Sequence, residues 1–338
     1  MMKHFTIPIF VPELACPNRC IYCNQFKITG LKHIPDIDTA RDIIEKYLKT
    51  IPRNNSEIEI GFFGGNFTGL KIALQKAYLD LAKSYVNNNN GCIQGIRMST
   101  RPDYISKAKL QFLKNYPITT IELGVQSTDK DVLQISERGY DFPIVEKASA
   151  LIHQFGFKLG LQMMIGLPSD TFEKSMKTAH EIARLGATEA RIYPTLVIKE
   201  TQLETLFRNH HYSPLSLEQA IDWSTELLCF FEQHNVRVIR LGLHPSEELT
   251  ECQSIVAGPF HPSFRQLVET EIWKKEFQKI QSPDFVRGIT LEIAPAQLGN
   301  AAGYGGCNRK ILTERFKNVR LKGNTDMEGR KFRYTFIQ

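Results

Sequence analysis

Short apolar runs alternate with amphipathic stretches over the first two thirds of the chain. The runs at 6–11, 58–63, 95–99, 119–125, 158–165 and 190–197 are bounded by turn signals, and each predicts a buried strand. Between them, apolar positions recur at helical spacing over 38–50, 71–86, 102–115, 129–136, 143–154 and 171–185. Asp38 is placed to cap the first of these helices, and the Asn run at 87–90 to stop the second. Six β-then-α units in sequence predict an α/β fold, a parallel sheet with helices outside, curved into a partial (β/α)6 barrel.

A helix at 217–234 and a strand at 236–241 continue the rhythm. A loop-rich stretch at 245–264 then breaks it, and the last part is basic and β-like, with strands at 288–293, 317–321 and 331–337. The expected organisation is a barrel over 1–240 and a C-terminal extension over 241–338 that closes one side of it. No linker precedes the extension, so a separately folding domain is disfavoured.

Composition narrows the class. The chain has 338 residues, 42% hydrophobic, with a formal net charge of +6. It is long enough for one large core, and its mild basicity is compatible with an anionic partner but falls short of a dedicated nucleic-acid domain. The opening residues, MMKHFTIPIFVP, are too short an apolar run for a signal peptide, being broken by Pro8 and Pro12. No run approaches the roughly 20 apolar residues of a membrane span. A cytoplasmic protein with no membrane contact is expected. Seven cysteines, an odd number without even spacing, do not make a disulfide framework.

Three of those cysteines change the picture. Cys16, Cys20 and Cys23 lie in the loop after the first predicted strand, spaced C-x3-C-x2-C. Thiolates are the usual ligands of iron–sulfur clusters, and three ligands on a four-iron cluster leave one iron open to a second molecule. Structural zinc wants four ligands, usually in two pairs, and Cys92, Cys229, Cys252 and Cys307 are scattered. Inert core cysteines do not usually cluster with Pro, Asn and Arg between them.

The spacing, with the aromatic Tyr22 before the last cysteine, resembles the signature of the radical S-adenosylmethionine (SAM) superfamily. The resemblance implies a TIM-type partial barrel of the radical SAM kind, with a [4Fe-4S] cluster on Cys16, Cys20 and Cys23. It also implies SAM on the open iron, reductive cleavage to a 5′-deoxyadenosyl radical, and hydrogen abstraction from a substrate. A reductant protein such as flavodoxin or ferredoxin is implied as the electron source, and Tyr22 is placed with the cofactor-binding residues.

Further polar positions sit where strands end. Gly64-Gly65 lets backbone approach a ligand closely, and a plain βα turn is the alternative. With Asn66 it looks like the family's GGE-type motif, whose backbone receives the SAM amino group. Ser99 ends the third predicted strand, at a position where some relatives carry an acid. Gln126 resembles the family glutamine on the ribose hydroxyls, and Arg138, twelve residues on, the arginine that pairs with the SAM carboxylate. A solvated helix-end cation is the alternative for Arg138. Gln162 is polar within an apolar strand, so a buried amide there needs a partner. A second ribose contact and a satisfied core amide are its two readings.

Longer stretches narrow the branch. RIYPTLVIKET at 191–201, STRPDY at 99–104 and ELGVQS at 122–127 resemble the radical SAM part of Elp3, the Elongator catalytic subunit, over roughly residues 5–240. That family modifies the wobble uridine of tRNA with a group derived from acetyl-CoA. No acetyltransferase domain is expected within a chain of this length, so that reaction is not expected to carry over whole. The segments AGPFHPSFR at 257–265 and GYGG at 303–306 look like a stand-alone bacterial branch. The expected function is hydrogen abstraction from tRNA or another RNA. A carboxylate-rich small molecule is the second expectation, by likeness to the oxygen-independent coproporphyrinogen oxidases. A non-catalytic iron–sulfur protein that senses redox state or binds RNA is the third. Between Arg309 and Arg333 stand nine Lys or Arg against three Asp or Glu, with Phe316, Phe332 and Tyr334 in or beside the run. Interleaved cations and aromatics suit backbone contacts plus base stacking, and a solvated amphipathic strand face is the alternative. His261, Arg265 and Glu269, at helical spacing, suit a pocket lining or a surface ion-pair row.

Overall fold

A computed structural model describes residues 3–12, 16, 17, 19–31, 33–52, 56–88, 92–243, 254–281 and 286–337. The chain divides into two units, residues 1–216 with 230–259 and residues 217–229 with 260–338.

In the first unit the six expected strands all form. They are β1 (Lys3–Phe10), β2 (Ser56–Phe63), β3 (Ile93–Thr100), β4 (Ile118–Gln126), β5 (Lys158–Ile165) and β6 (Glu189–Pro194). The sixth ends at a proline, and a two-residue strand, β7 (Val197–Ile198), leaves the sheet to pair elsewhere. The single strand expected over 190–197 is therefore two. A seventh parallel strand, β8 (Arg237–Leu241), follows β6, so the curled half-barrel sheet runs β1-β2-β3-β4-β5-β6-β8. β7 pairs antiparallel with β9 (Ile255–Ala257), within the stretch read as loop. Residues 244–253 and the end of the Asn run lie outside the described residues.

Two boundaries differ from the sequence reading. The first long helix is Ile37–Thr50, and its cap is Asp36, whose side chain accepts from Thr39 N at 2.8 Å. Asp38 falls in the first turn, where a negative charge also suits the helix dipole. The helix expected over 102–115 is a 3-10 turn, Pro102–Tyr104, and then the helix Lys107–Leu113, because Ser106 caps a new start.

Alternation decides what faces inward. On β3, Ile96 and Met98 pack into the apolar layer, while Arg97 and Ser99 line the barrel interior. Glu122 lies opposite Gly160 and Gln162 opposite Arg191. Gly160 is required there: a Cβ would stand 2.9 Å from the Glu122 Cγ.

The second unit has its own core. β10 (Gly288–Ile293) lies between a parallel β11 (Asn318–Gly323) and an antiparallel β12 (Phe332–Ile337). Helices Phe264–Gln278, Leu298–Ala302 and Cys307–Phe316 pack on one face through Trp273, Phe277, Leu312 and Phe316. The tail is thus not wholly β-like: 307–316 is helical. Of its aromatics only Tyr334, 42% exposed, is open to a partner. Phe316 is 0% exposed, and Phe332 packs against the core.

Candidate functional site

The loop after β1 is held down by the residues between its cysteines. Ile21 is buried with Val132, Leu167, Val197 and Leu203. Its carbonyl accepts from Leu203 N at 2.8 Å, and the Cys20 carbonyl accepts from Cys23 N at 2.9 Å. Asn24 then caps the short helix Gln25–Thr29 through Lys27 N, and its amide donates to the Lys199 carbonyl at 3.3 Å. Cys20 is buried, and Cys16 and Cys23 are half-buried.

All three cysteines line one cavity of about 1140 Å³ inside the half-barrel. Tyr22, Gly64, Gly65, Ser99, Gln126, Arg138 and Gln162 line it too. Among the described residues no three His, Cys, Asp or Glu side chains converge on a single ion. Cluster ligands bind separate irons, so such convergence is not what a four-iron cluster asks of them.

Gly64 and Gly65 both take positive φ, 94° and 133°, a turn that side chains disfavour. The space at Gly64 is set by the chain entering the cysteine loop: a Cβ would stand 3.2 Å from Val11 N. Asn66 is buried, and its Oδ1 accepts from the Thr100 hydroxyl at 2.7 Å. Its carboxamide ties the β2 turn to the end of β3, and Asn66 is not one of the cavity-lining residues.

Arg138 is 6% exposed, which removes the solvated-cation alternative. Its Nη1 donates to Cys20 Sγ at 3.0 Å and to the Tyr22 hydroxyl at 3.2 Å. Nη2 donates to the Gly124 carbonyl at 2.7 Å, and Nε to the Tyr140 hydroxyl at 3.1 Å. Burial pushes the Tyr22 hydroxyl well above its ordinary pKa, against the pull of Arg138. Arg101 joins this group through the Arg138 carbonyl at 2.7 Å and a two-pronged pair with Asp103 at 3.0 and 2.9 Å. Gln126 stands at the end of β4 with a left-handed backbone, φ 68°, and its buried Oε1 has no partner among the described residues. Gln162 donates to Ser99 Oγ at 3.0 Å and to Glu122 at 2.9 Å, so its amide has the partners that burial requires.

Beneath lies a charge lattice that the motif reading missed. Arg97, 1% exposed, donates to Glu122 at 2.9 Å, to Glu59 at 3.1 Å and to Glu189. Arg191 forks onto Glu122 at 2.5 and 2.9 Å, His4 meets Glu59 at 2.7 Å, and Arg237 meets Glu189. Burial alone would raise the Glu122 carboxyl; the charges of Arg191 and Arg97 outweigh it and bring it to about 2. The available signal was charge at inward parity within apolar strands: Glu59 on β2, Arg97 on β3, Glu122 on β4, and Glu189 and Arg191 on β6. Arg19, Arg97, Arg101, Arg138, Arg191 and Arg240 line the cavity, and among the described residues no Asp or Glu does. Arg97, Arg101 and Arg191 are already matched by carboxylates, so these three add little net positive charge to the wall.

A half-barrel of parallel strands, with a cysteine triplet in the loop after the first, defines a class. The sequence profile of the Radical SAM superfamily matches residues 13–182, and that of the Radical_SAM C-terminal domain matches 187–274. The chain belongs to the radical SAM superfamily. It is 26% identical over 239 residues to a tRNA uridine(34) acetyltransferase of Dehalococcoides mccartyi, covering 62% of this chain and 52% of the relative. It is 29% identical over 242 residues to an uncharacterized protein of Methanocaldococcus jannaschii, covering 69% and 72%. The solved structure of Elp3 from Methanocaldococcus infernus superposes with a TM-score of 0.67 at 23% identity, over 82% of this chain and 64% of that one. The Elp3-like resemblance read from the sequence is borne out in these relatives, and the chain spans about half the length of the first. Among the described residues no helix is long and apolar enough to cross a membrane.

Proposed function

We propose that the chain is a radical SAM enzyme acting on RNA, with cytoplasmic tRNA as the leading substrate. One juxtaposition carries the reading: Cys16, Cys20 and Cys23 open onto the same cavity as Gly64, Gly65, Ser99, Gln126, Arg138 and Gln162. In this reading the cysteines hold a [4Fe-4S] cluster, and the remaining positions hold SAM beside it. The residues fit both groups. Three thiols face a cavity with room for them, and among the described residues Gln126 Oε1 is buried without a partner.

When bound, cluster and SAM together supply a 5′-deoxyadenosyl radical, with the electron from a flavodoxin or ferredoxin. The protein's part is orientation and exclusion of water. Gly64 and Gly65 offer backbone to an amino group. Gln126 Oε1 accepts from a ribose hydroxyl, and the Gln162 and Ser99 pair stands across from it. Arg138 keeps the Cys20 loop tied to β4, and in this reading it would meet a carboxylate by exchanging one of its bonds to Cys20, Tyr22, Gly124 or Tyr140. Asn66 acts indirectly, by fixing the turn that carries the two glycines. Tyr22 closes the wall behind Cys20.

The test has two parts. Anaerobically reconstituted protein with dithionite and SAM is expected to release 5′-deoxyadenosine, and Cys16→Ala, Cys20→Ala and Cys23→Ala together to lose the visible absorbance of the cluster. Retained absorbance in that triple variant sinks the ligand assignment. Mass spectrometry of tRNA nucleosides with and without the gene then tests the substrate. A second reading is a carboxylate-rich small molecule, and an unchanged nucleoside profile would shift weight to it.

A further inference from the structure

The three-stranded sheet of the second unit has two unlike faces. Register puts Thr290, Arg320 and Thr335 in one row and Glu292, Lys322 and Arg333 in the next. The opposite parity, Ile289, Leu291 and Ile293 with Phe332 and Phe336, is the face on which the helices pack. The outer face is therefore polar, and Arg320, Lys322, Arg333 and Thr335 are exposed. Among the described residues none of its three cations is within ion-pair distance of a carboxylate. Its acid, Glu292, accepts from the Asn324 amide at 2.9 Å.

Spacing selects the kind of ligand. Alternate residues of a strand stand about 7 Å apart, and residues two strands apart about 10 Å. Arg320, Lys322 and Arg333 thus converge on no single small anion. They suit a partner that repeats its negative charge at intervals. The face carries no aromatic, and its one aliphatic, Ile337, is half-buried. A protein partner would want aromatic or apolar anchors at its centre. A phosphate backbone asks only for the cations.

We propose that the outer face of β11-β10-β12 docks the phosphate backbone of RNA through Arg320, Lys322 and Arg333, without reading sequence. The inference rests on the RNA reading above and adds where and how the RNA is held. Phe316, Phe332 and Phe336 serve the core, and the exposed Tyr334 lies at the opposite parity beside Leu291, so base stacking has no part on this face.

The experiment is tRNA binding by the reconstituted full chain, followed by fluorescence anisotropy against salt. The variant is R320Q with K322Q and R333Q. Its charge-matched control is K49Q with K147Q and K177Q, all exposed lysines without an ion pair among the described residues. Each phosphate contact contributes about 0.7–0.9 to the salt slope, so three contacts contribute about 2–3. The wild type is expected to lose roughly 20- to 40-fold more affinity than the face variant between about 50 and about 200 mM salt. The control should follow the wild type, and a tRNA of unrelated sequence should bind as well. Circular dichroism and RNA-free 5′-deoxyadenosine yield establish that the face variant is folded and loaded. A folded face variant with wild-type affinity and slope overturns the proposal. So does a wild type that binds acidic reductant protein through this face and no tRNA. Failure of the substrate reading shows differently: nucleosides stay unchanged without the gene, while the face variant still loses its salt-sensitive RNA binding.

Discussion

Arg97 is 1% exposed and meets three carboxylates, on β2, β4 and β6. Removing one partner of a buried ionic group typically costs about 3–5 kcal/mol, because the charges left behind are stranded. Arg97→Met is therefore expected to destabilise the first unit by about that much, read as a lower urea midpoint. Glu122 gives the lattice a pH signature. Its carboxyl sits at about 2, below the ordinary 4.5, so its stabilising contribution is present above pH 4.5 and is lost as pH falls toward 2. Glu122→Gln is expected to flatten the acid limb of the stability profile between those values. Gln126 holds a left-handed backbone that costs about 1 kcal/mol for a side-chain-bearing residue. Gln126→Gly should unfold at higher urea while 5′-deoxyadenosine yield falls, since the turn relaxes as the buried amide is lost. The cysteines, Gly64, Gln126 and Arg138 were legible because each lies in a short local pattern. Arg97 with Glu189 was not: the pair is 92 positions apart, and alternation gives direction but never a partner.

At the scale of elements, strands read better than boundaries. Every strand of the half-barrel was visible as a bounded apolar run, because strands buried on both faces leave that mark. The cap at Asp36, the restart at Ser106 and the break after Pro194 were decided by local hydrogen bonding that competes with periodicity. The helix Cys307–Phe316 was hidden by its charge, since only Leu312 and Phe316 of its apolar residues are buried in the core. Elements also carry predictions. Trp273, fully buried, packs its ring at a tilt 5.3 Å from Phe277 and 5.8 Å from Phe332. Trp273→Ala should cost about 3–5 kcal/mol, seen as faster amide exchange in β10 and the helix Phe264–Gln278. Asp170, in the turn before the helix Phe172–Arg184, is raised by burial to about 6 against hydrogen bonds from Ser175 and Gly166. A raised acid favours the folded state below its unfolded value and loses that contribution as pH rises through 6. Asp170→Asn should remove this slope.

For the whole molecule, family and fold follow from the profile match over 13–182 and the half-barrel sheet. The second unit was read only as a basic extension, because its core is built by residues from helix and sheet that share no local motif. The charge lattice has one more consequence, for how the barrel assembles. Arg97 on β3 is not fully matched until β6 delivers Glu189, and Glu122 on β4 waits for Arg191 on the same strand. A half-built barrel ending at β5 would therefore bury ions whose partners have yet to arrive, and desolvated ions without partners are expensive. Partly assembled barrels are thereby penalised. The strands should close as one cooperative event, slowed by the long loops that must be ordered first. A fragment ending at residue 188 is expected to show no cooperative unfolding transition by circular dichroism. The ion pairs that line the interior thus also act as a checkpoint on its completion.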